Sequence, residues 1–560
     1  MAGAFWRCSV LGKAMRKNRE SKTEPREWKV AGHVPQTISP SLSGKWRTVV
    51  RWVLSAQAAL LVGVGARFWY YFLNDSFWRD ESKLLINVAQ KSFLALLGPL
   101  AYEQESPIPL LWLYRLIYLA GGGGELSMRA VSLVASISAL FLFYLLARKV
   151  MTDHRAISFS VWLLALAPGV ILFAAVTKVI ALDILVATVL LILAAPIFTN
   201  QNAEKEAPNS FPRLLWAAAL APWFSYPAIF VLGGIGAGLL IKYRTIGIFN
   251  VIKFIAITIL SEMVQIYIVL DRLLSPHRVE VIKRLLKGLH HVSNWGLWLL
   301  CQIYYGYLGP KISFQFLAYP YGYYFDPFIM LLSILTLTGI WEARRRSGWP
   351  WICVLAGPLL LALTACVLKL YWPFGRLLLF ATPGIYLLSG YGAAWLFRKA
   401  TKPWVVTLAL IILVLPSGNY SWVALGKKVG GVREGLKYVF DRQQPGDLVF
   451  VDVYAAPTVY YYGLLNRPYA RDLHYGMKPE KWIEGEVLDL TLKPEDVLPL
   501  IPSDRRVWLV AESMDYVRGP LGKVINYWAL VEDELNANRA PMSAYITDRV
   551  RVRGFSRAFK

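Results

Sequence analysis

The chain has 560 residues, of which 56% are hydrophobic and 14% aromatic, and its mean hydropathy is +0.43. Repeated apolar runs of about 14 to 22 residues exclude an ordinary soluble protein and indicate a helical protein that crosses the membrane several times. The net charge of +24 could indicate nucleic-acid binding. However, many basic residues lie in short clusters between apolar runs, as the positive-inside rule predicts. We therefore expect a lipid bilayer as a partner, and no nucleic acid.

The first part of the chain, residues 1–46, is basic and polar. It contains no apolar run long enough for a signal peptide, so we expect a flexible cytoplasmic tail. The cysteines show no CxxC spacing, which favours packing roles over a disulfide framework. The four cysteines are Cys8, Cys301, Cys353 and Cys366.

Residues 47–416 are predicted to form the transmembrane domain. Apolar runs separated by basic clusters predict about eleven transmembrane helices, with the N terminus in the cytoplasm. Two long segments, 74–127 and 271–326, then fall on the external side. The apolar stretch 214–241 is predicted to be two helices, because the turn at 225–227 contains a proline that ends a helix.

The first external segment contains an amphipathic stretch. Leu85, Val88 and Leu96 line one face of a predicted helix, while Asn87 and Lys91 line the other. This pattern is typical of a helix that lies in the membrane interface with its apolar face on lipid.

The composition changes after residue 416, and residues 417–560 are predicted to form a small α/β domain on the external side. Short apolar runs predict buried strands, and longer segments have helical periodicity. The predicted strands are 447–452 and 506–510, and the predicted helices are 432–443, 456–464 and 519–538.

An acidic pair, Asp80 and Glu81, follows the first predicted span. Ionisable groups at a membrane are costly, and their presence there indicates function. The alternative is a solvated loop or an ion pair with Arg79 or Lys83. Glu81 also fits the role of a carboxylate at a helix N-terminus, where the helix dipole favours it, or of a partner that orients a basic group.

Three further charged residues lie where predicted spans reach the external side. Arg376 ends a turn shaped by proline and glycine, where its guanidinium could hold phosphate oxygens in a fork. The alternative is an aromatic belt with a snorkelling arginine. Asp183 would cost about 2.5–3.5 kcal/mol in lipid at mid-helix, which favours a place at the mouth of its span. The alternative for Asp183 is a charge pair with Lys178.

The adjacent histidines His290 and His291 could suggest a metal. On a helix they point about 100° apart, so they do not readily share one ion. We expect a structural role for them and no protein metal site, while a divalent cation is left open. The tyrosines of 304–324 fit either a sugar-binding wall or an interfacial belt.

Several short motifs follow one another along the chain. They are Arg67, Asp80-Glu81, the stretch from Gln104 to Pro109, Arg129, Lys178 with Asp183, and the loop from Tyr371 to Arg376. Their order resembles that in the GT-C glycosyltransferases of the protein O-mannosyltransferase and aminoarabinose-transferase type, and the resemblance covers roughly residues 48–416.

This resemblance implies a membrane enzyme that passes a sugar from a polyprenyl-phosphate carrier to a lipid, glycan or protein acceptor at the external face. In such families the aspartate that matches Asp80 is the catalytic base. An acid in a second external loop, here Asp183, supports it, and we group Glu81 with these two. The residues expected at the donor phosphate are Arg376, Lys178 and Arg129, and those expected at the substrate are Gln104, Glu105 and Tyr371.

The chain departs from this family pattern at one stretch. Aminoarabinose transferases carry Glu-Lys-Pro-Pro where this chain has Glu105-Ser106-Pro107-Ile108-Pro109. A lysine that could contact the carrier phosphate is therefore absent there.

Transfer from a phosphate-linked sugar needs a base for the acceptor hydroxyl and positive charge for the departing phosphate. One displacement inverts the anomeric centre, an outcome that the family implies. Two alternatives stay open: a transporter of lipid-linked glycans, which would show paired interrupted helices and charges at the bilayer midplane, and a scaffold without catalysis. We expect a bacterial inner membrane, with the C-terminal domain outside.

Overall fold

The structure is a computed structural model, and it describes residues 55–199, 203–269, 327–368, 370–371, 375–402, 404, 407–408, 431–451, 455–470, 474–475, 503–512, 533, 535–546 and 550–558. Several predictions lie outside these residues. They are the tail 1–46, the external segment 271–326 with His290 and His291, most of the last predicted span, most of the helix 519–538, and Cys8 and Cys301.

The apolar runs before residue 400 form helices. The first are α1 (Ala56–Phe72), α2 (Arg79–Gln90), α3 (Ile108–Leu119), α4 (Glu125–Val150), α5 (His154–Leu166), α6 (Pro168–Ala174) and α7 (Ile180–Thr199). They continue as α8 (Ala203–Phe224), α9 (Ala228–Ile241), α10 (Tyr243–Ile246), α11 (Ile248–Ile268), α12 (Pro327–Val367) and α13 (Thr382–Lys399). A 3₁₀ turn, Gly375–Ala381, leads into α13, and α12 has non-helical backbone at Gly348.

Within the described residues, five helices are long and apolar enough to cross a membrane, or six when the bent pair α5 and α6 counts as one. Helices α3 and α9 are apolar but shorter. The predicted class, a helical protein with several membrane-spanning segments, is confirmed. The break predicted at residues 225–227 falls between α8 and α9. The number eleven stays a prediction.

A buried arginine holds the bend of 52° between α5 and α6. Pro168 begins α6, and a proline has no N–H to donate to the preceding turn. Arg67 of α1 is fully buried and donates to the carbonyl oxygens of Ala165 at 3.1 Å and Leu164 at 3.2 Å. It also donates to the Ser136 hydroxyl at 2.8 Å. The guanidinium thus satisfies carbonyl groups at the end of α5, where helical donors run out.

The C-terminal region contains a mixed sheet with helices beside it. Its described helices are α14 (Val432–Phe440) and α15 (Ala456–Leu464), and its strands are β1 (Leu448–Val451), β2 (His474–Tyr475), β3 (Val507–Glu512), β4 (Arg539–Ile546) and β5 (Val550–Ala558). The strand order is β2-β1-β3-β5-β4. Strand β1 is parallel to β2 and β3, whereas β5 is antiparallel to β3 and β4. The predicted α/β fold is confirmed, although the β4–β5 pair was not predicted.

Helix α2 and the C-terminal domain share one hydrophobic core. Leu85 and Val88 of α2 are fully buried in a cluster with Tyr461, Trp508 and Val552. The prediction that this apolar face lies on lipid is therefore wrong. Helical periodicity shows that a face is buried, but it does not show what covers the face.

Candidate functional site

Asp80 lies in the first turn of α2, where the helix dipole favours a carboxylate. Its Oδ2 is 3.4 Å from Nη1 of Arg376, and its side chain is 20% exposed. Arg79 Nε lies 3.9 Å from Oδ1. The Arg376 guanidinium also lies over the Trp78 ring, 5.9 Å from its centroid. The structure therefore brings together two of the predicted site residues, Asp80 and Arg376, which are 296 positions apart in the chain.

Positive charge surrounds the Asp80 carboxylate. Partial burial alone would raise the pKa of Asp80, but the charges of Lys178, Arg376, Arg79 and Lys83 outweigh burial and hold it below its usual range. The carboxylate is thus ionised at neutral pH. Divalent cations prefer several oxygen ligands. The groups described around Asp80 are cationic instead, so this donor set suits a phosphate and does not suit a metal ion.

Lys178 lies in the connection between α6 and α7, and its Nζ donates to Gln104 Oε1 at 2.8 Å. Gln104 Nε2 in turn donates to the Tyr102 carbonyl at 3.0 Å. Tyr102 has a φ of 60°, a left-handed conformation that residues other than glycine seldom adopt. Burial lowers the pKa of Lys178 to about 8, although Asp80 favours its charged form. Gln104 is therefore positioned to orient Lys178 beside Asp80.

Glu81 is buried, and its carboxylate accepts hydrogen bonds from several groups of the protein. Its carboxylate accepts hydrogen bonds from Arg129 Nε at 3.0 Å and Nη2 at 2.7 Å, and from the backbone N–H groups of Thr177 at 2.7 Å and Trp78 at 2.9 Å. Burial would raise the pKa of Glu81, but the charge of Arg129 and these hydrogen bonds hold it below its usual range. Arg129 also donates to the Asp75 and Ser76 carbonyls. Glu81 and Arg129 thus join α2 to α4.

Asp183 and Tyr371 form a second polar group. Asp183 lies in the first turn of α7 with 7% exposure, and Ser225 lies beside it. Burial raises the pKa of the Tyr371 phenol, and the nearby Asp183 adds to this shift. Asp183 therefore lies next to Tyr371 and Ser225.

The stretch after Gln104 is tied to the break between α8 and α9. Tyr226 donates its hydroxyl hydrogen to the Ser106 carbonyl at 3.0 Å. Glu105 is partly buried beside it. This places the predicted substrate stretch between the two polar groups of the site.

Two residues of the site were missed by sequence reasoning. Trp78 supports Arg376 and immediately precedes the helix that carries Asp80, and that position was the available signal. The Tyr462 hydroxyl accepts a hydrogen bond from the backbone N–H of Phe77, the residue before Trp78, although the two residues are 385 positions apart. Nothing in the sequence indicates this contact.

In the part of the chain that the structure describes, no three His, Cys, Asp or Glu side chains come together in a way that could hold a metal ion. The divalent cation left open by the sequence stays a prediction.

No protein-family model matches the chain, and no curated protein matches it. Among solved structures, the chain is similar to ArnT from Cupriavidus metallidurans in the apo state, with 13% identity and a TM-score of 0.47 over 92% of this chain and 98% of that chain. The same protein bound to undecaprenyl phosphate gives a TM-score of 0.46 at 13% identity and equal coverage. Archaeal AglB from Archaeoglobus fulgidus, an oligosaccharyltransferase in complex with an inhibitory peptide and a dolichol-phosphate, is 10% identical, with a TM-score of 0.43 over 82% of this chain and 69% of that chain. The function proposed below rests on the site residues themselves.

Proposed function

We propose that the protein is a membrane glycosyltransferase that moves a sugar from a polyprenyl-phosphate carrier to an acceptor hydroxyl at the extracytoplasmic face. One observation carries the proposal: an ionised carboxylate, Asp80, lies among Lys178 and Arg376 where membrane helices end. A base next to a phosphate-binding group is what transfer from a phosphate-linked sugar requires.

In the proposed reaction, Asp80 accepts the proton of the acceptor hydroxyl while the acceptor oxygen bonds to the anomeric carbon. The bond from that carbon to the carrier phosphate breaks, and its electron pair leaves with the phosphate oxygen. Lys178 and Arg376 stabilise the resulting phosphate charge. A single displacement inverts the anomeric centre.

Donor binding would also activate the base. The cations that lower the pKa of Asp80 are the same cations proposed to bind phosphate. A bound phosphate compensates their charge, so the pKa of Asp80 rises towards a value better suited to proton transfer. Asp80 would thus be a weak base without donor and a stronger base with donor in place.

The other predicted residues have supporting roles in this proposal. Gln104 orients Lys178 through their hydrogen bond. Glu81 and Arg129 fix the start of α2 and do not touch the substrate, because their bonding capacity is used within the protein. The residues proposed to hydrogen-bond the donor sugar or the acceptor are Asp183, Tyr371 and Glu105.

The transporter alternative is less well supported. It requires charged groups near the bilayer midplane, whereas Asp80 and Lys178 lie outside the candidate spans. We propose a bacterial inner membrane as the location, with a cytoplasmic N terminus and an extracytoplasmic C-terminal domain. The proposed acceptor is a hydroxyl group of a lipid, a glycan or a protein.

The test is transfer of radiolabelled sugar from a panel of polyprenyl-phosphate sugars into membrane extract. Asp80→Asn keeps the size of the side chain and removes the base, so kcat should fall by about 10²–10⁴. Donor binding should be retained, because a negative charge next to the phosphate is removed. Asp441→Asn, which changes an exposed aspartate after α14, is the matched control and should transfer at the native rate.

A native rate for the Asp80→Asn protein would exclude Asp80 as the base. No transfer from any donor by the native protein, together with movement of lipid-linked glycan across vesicles, would instead establish the transporter.

A further inference from the structure

Helix α15 of the C-terminal domain packs against α2, the helix that carries Asp80. Ser82 donates its hydroxyl hydrogen to Thr458 Oγ1 at 2.9 Å, and both side chains are fully buried. Residues three apart on a helix share a face, and residues two apart do not. Ser82 and Leu85 therefore belong to the face covered by the C-terminal domain, while Asp80 belongs to a different face. The C-terminal domain thus packs against one face of α2, and Asp80 lies on another face of the same helix.

The hydroxyl group of Tyr462, on α15, makes two hydrogen bonds in a fully buried position. It accepts from the Phe77 backbone N–H at 3.1 Å and donates to Glu125 Oε1 at 2.8 Å. Arg433 Nη1 donates to the same Glu125 oxygen at 2.6 Å. The Phe77 ring packs edge-on against Tyr461, with centroids 5.3 Å apart. One hydroxyl therefore bridges two segments that are far apart in the sequence.

Both of these segments lead directly to the site. Phe77 precedes Trp78, the N-cap residue of α2. Glu125 is in the first turn of α4, one helical turn before Arg129, which binds Glu81 of α2. The hydroxyl of Tyr462 thus connects the N-terminal ends of α2 and α4. The buried Glu81–Arg129 pair joins the same two helices.

We propose that Tyr462 is a positioning residue for Asp80. The C-terminal domain would then contribute to catalysis by fixing the position of the base. The inference rests on the proposed function. The donor-binding cations, Lys178 and Arg376, lie on other segments than the starts of α2 and α4, so loss of the Tyr462 hydroxyl should lower turnover and leave donor affinity nearly unchanged. A displacement of about 1 Å in a reacting group can reduce the rate by about 10²-fold.

The experiment compares Tyr462→Phe with Tyr460→Phe in the full-length protein. Both substitutions remove one hydroxyl from α15, but the Tyr460 hydroxyl is exposed and accepts from Gln90 Nε2 at the far end of α2. With the donor that supports transfer, Tyr462→Phe should lower kcat by about 10- to 100-fold while KM for donor stays within about twofold. Tyr460→Phe should match the native protein in both constants.

An unchanged kcat for Tyr462→Phe would overturn the inference, as would an equal loss for Tyr460→Phe or a change confined to KM. If the Tyr462→Phe protein does not fold, Thr458→Val and Thr458→Ser decide the question. The valine removes the partner of Ser82 and should lower kcat, while the serine keeps the hydroxyl and should restore it. A native rate for Asp80→Asn would refute the proposed function itself. An inactive Asp80→Asn protein beside a fully active Tyr462→Phe protein would refute only the inference.

Discussion

Asp80 and Glu81 are adjacent in the sequence, yet they lie in opposite environments. Glu81 is buried and accepts four short hydrogen bonds, including two from Arg129. Asp80 is partly exposed, and its contact with Arg376 is 3.4 Å long. The difference shows how the start of one helix separates two tasks: Glu81 fixes the backbone, and that leaves the neighbouring carboxylate available for chemistry.

The largest expected effect comes from Glu81→Gln, which leaves Arg129 buried without its charge partner. Breaking a buried ion pair in this way costs about 3–5 kcal/mol. Thermal unfolding in detergent should therefore show a clearly lowered midpoint. Asp80→Asn should leave the midpoint close to native, because its ion pair with Arg376 is long and partly exposed, and such pairs contribute about 0–1 kcal/mol. Equal midpoints for the two variants would remove the contrast between the two acids.

Lys178→Met tests how much a cation beside Asp80 contributes to donor binding. A hydrogen bond to a charged group contributes about 1.5–3 kcal/mol, so the affinity for polyprenyl phosphate should fall about 10- to 150-fold. Titration of the purified protein with polyprenyl phosphate measures this. Lys149→Met, at an exposed position near the end of α4, should bind with native affinity. Native affinity in the Lys178→Met protein would exclude Lys178 from the phosphate site.

The pH dependence of transfer provides a third test. The pKa of Lys178 is lowered to about 8, so the side chain is charged below that pH and loses its charge as the pH rises through it. The value of kcat/KM for donor should therefore fall about tenfold per pH unit above the pKa of the free enzyme. Lys178→Arg, whose side chain stays charged, should lose this alkaline decline. A decline that persists in the Lys178→Arg protein would have another origin.

Arg376→Lys is expected to have the smallest effect. The Arg376 side chain is 40% exposed, and its ion pair with Asp80 is long, so keeping the charge should preserve most of the contribution. The loss of the forked geometry should reduce donor affinity by less than about tenfold, measured by the same titration. A loss greater than that of Lys178→Met would make Arg376 the main phosphate ligand.

The sequence predicted the helical class, the α/β end of the chain, strand β1 and the break before α9, because these follow from local periodicity and turn residues. It also predicted Asp80, Lys178 and Arg376 as site residues, and the structure places them near one another. Their roles stay predictions. It did not reveal that Glu81 pairs with Arg129, which lies 48 positions away. Nor did it reveal that Tyr462 reaches Phe77, because pairings between distant segments leave no periodic pattern.

The arginine at the bend between α5 and α6 has a consequence for how the protein is made. Arg67 belongs to the first described helix, but its carbonyl partners at Ala165 and Leu164 are 98 and 97 positions further along. Before α5 is made, Arg67 has only its acceptors at Gly63 and Ser136, and an arginine in the bilayer costs about 2.5–3.5 kcal/mol on insertion scales. Helix α1 can therefore settle into its final packing only after α5 has been synthesised and inserted. A nascent chain arrested before residue 154 should leave α1 in contact with the insertion machinery, and site-specific crosslinking would detect its release once the chain is longer.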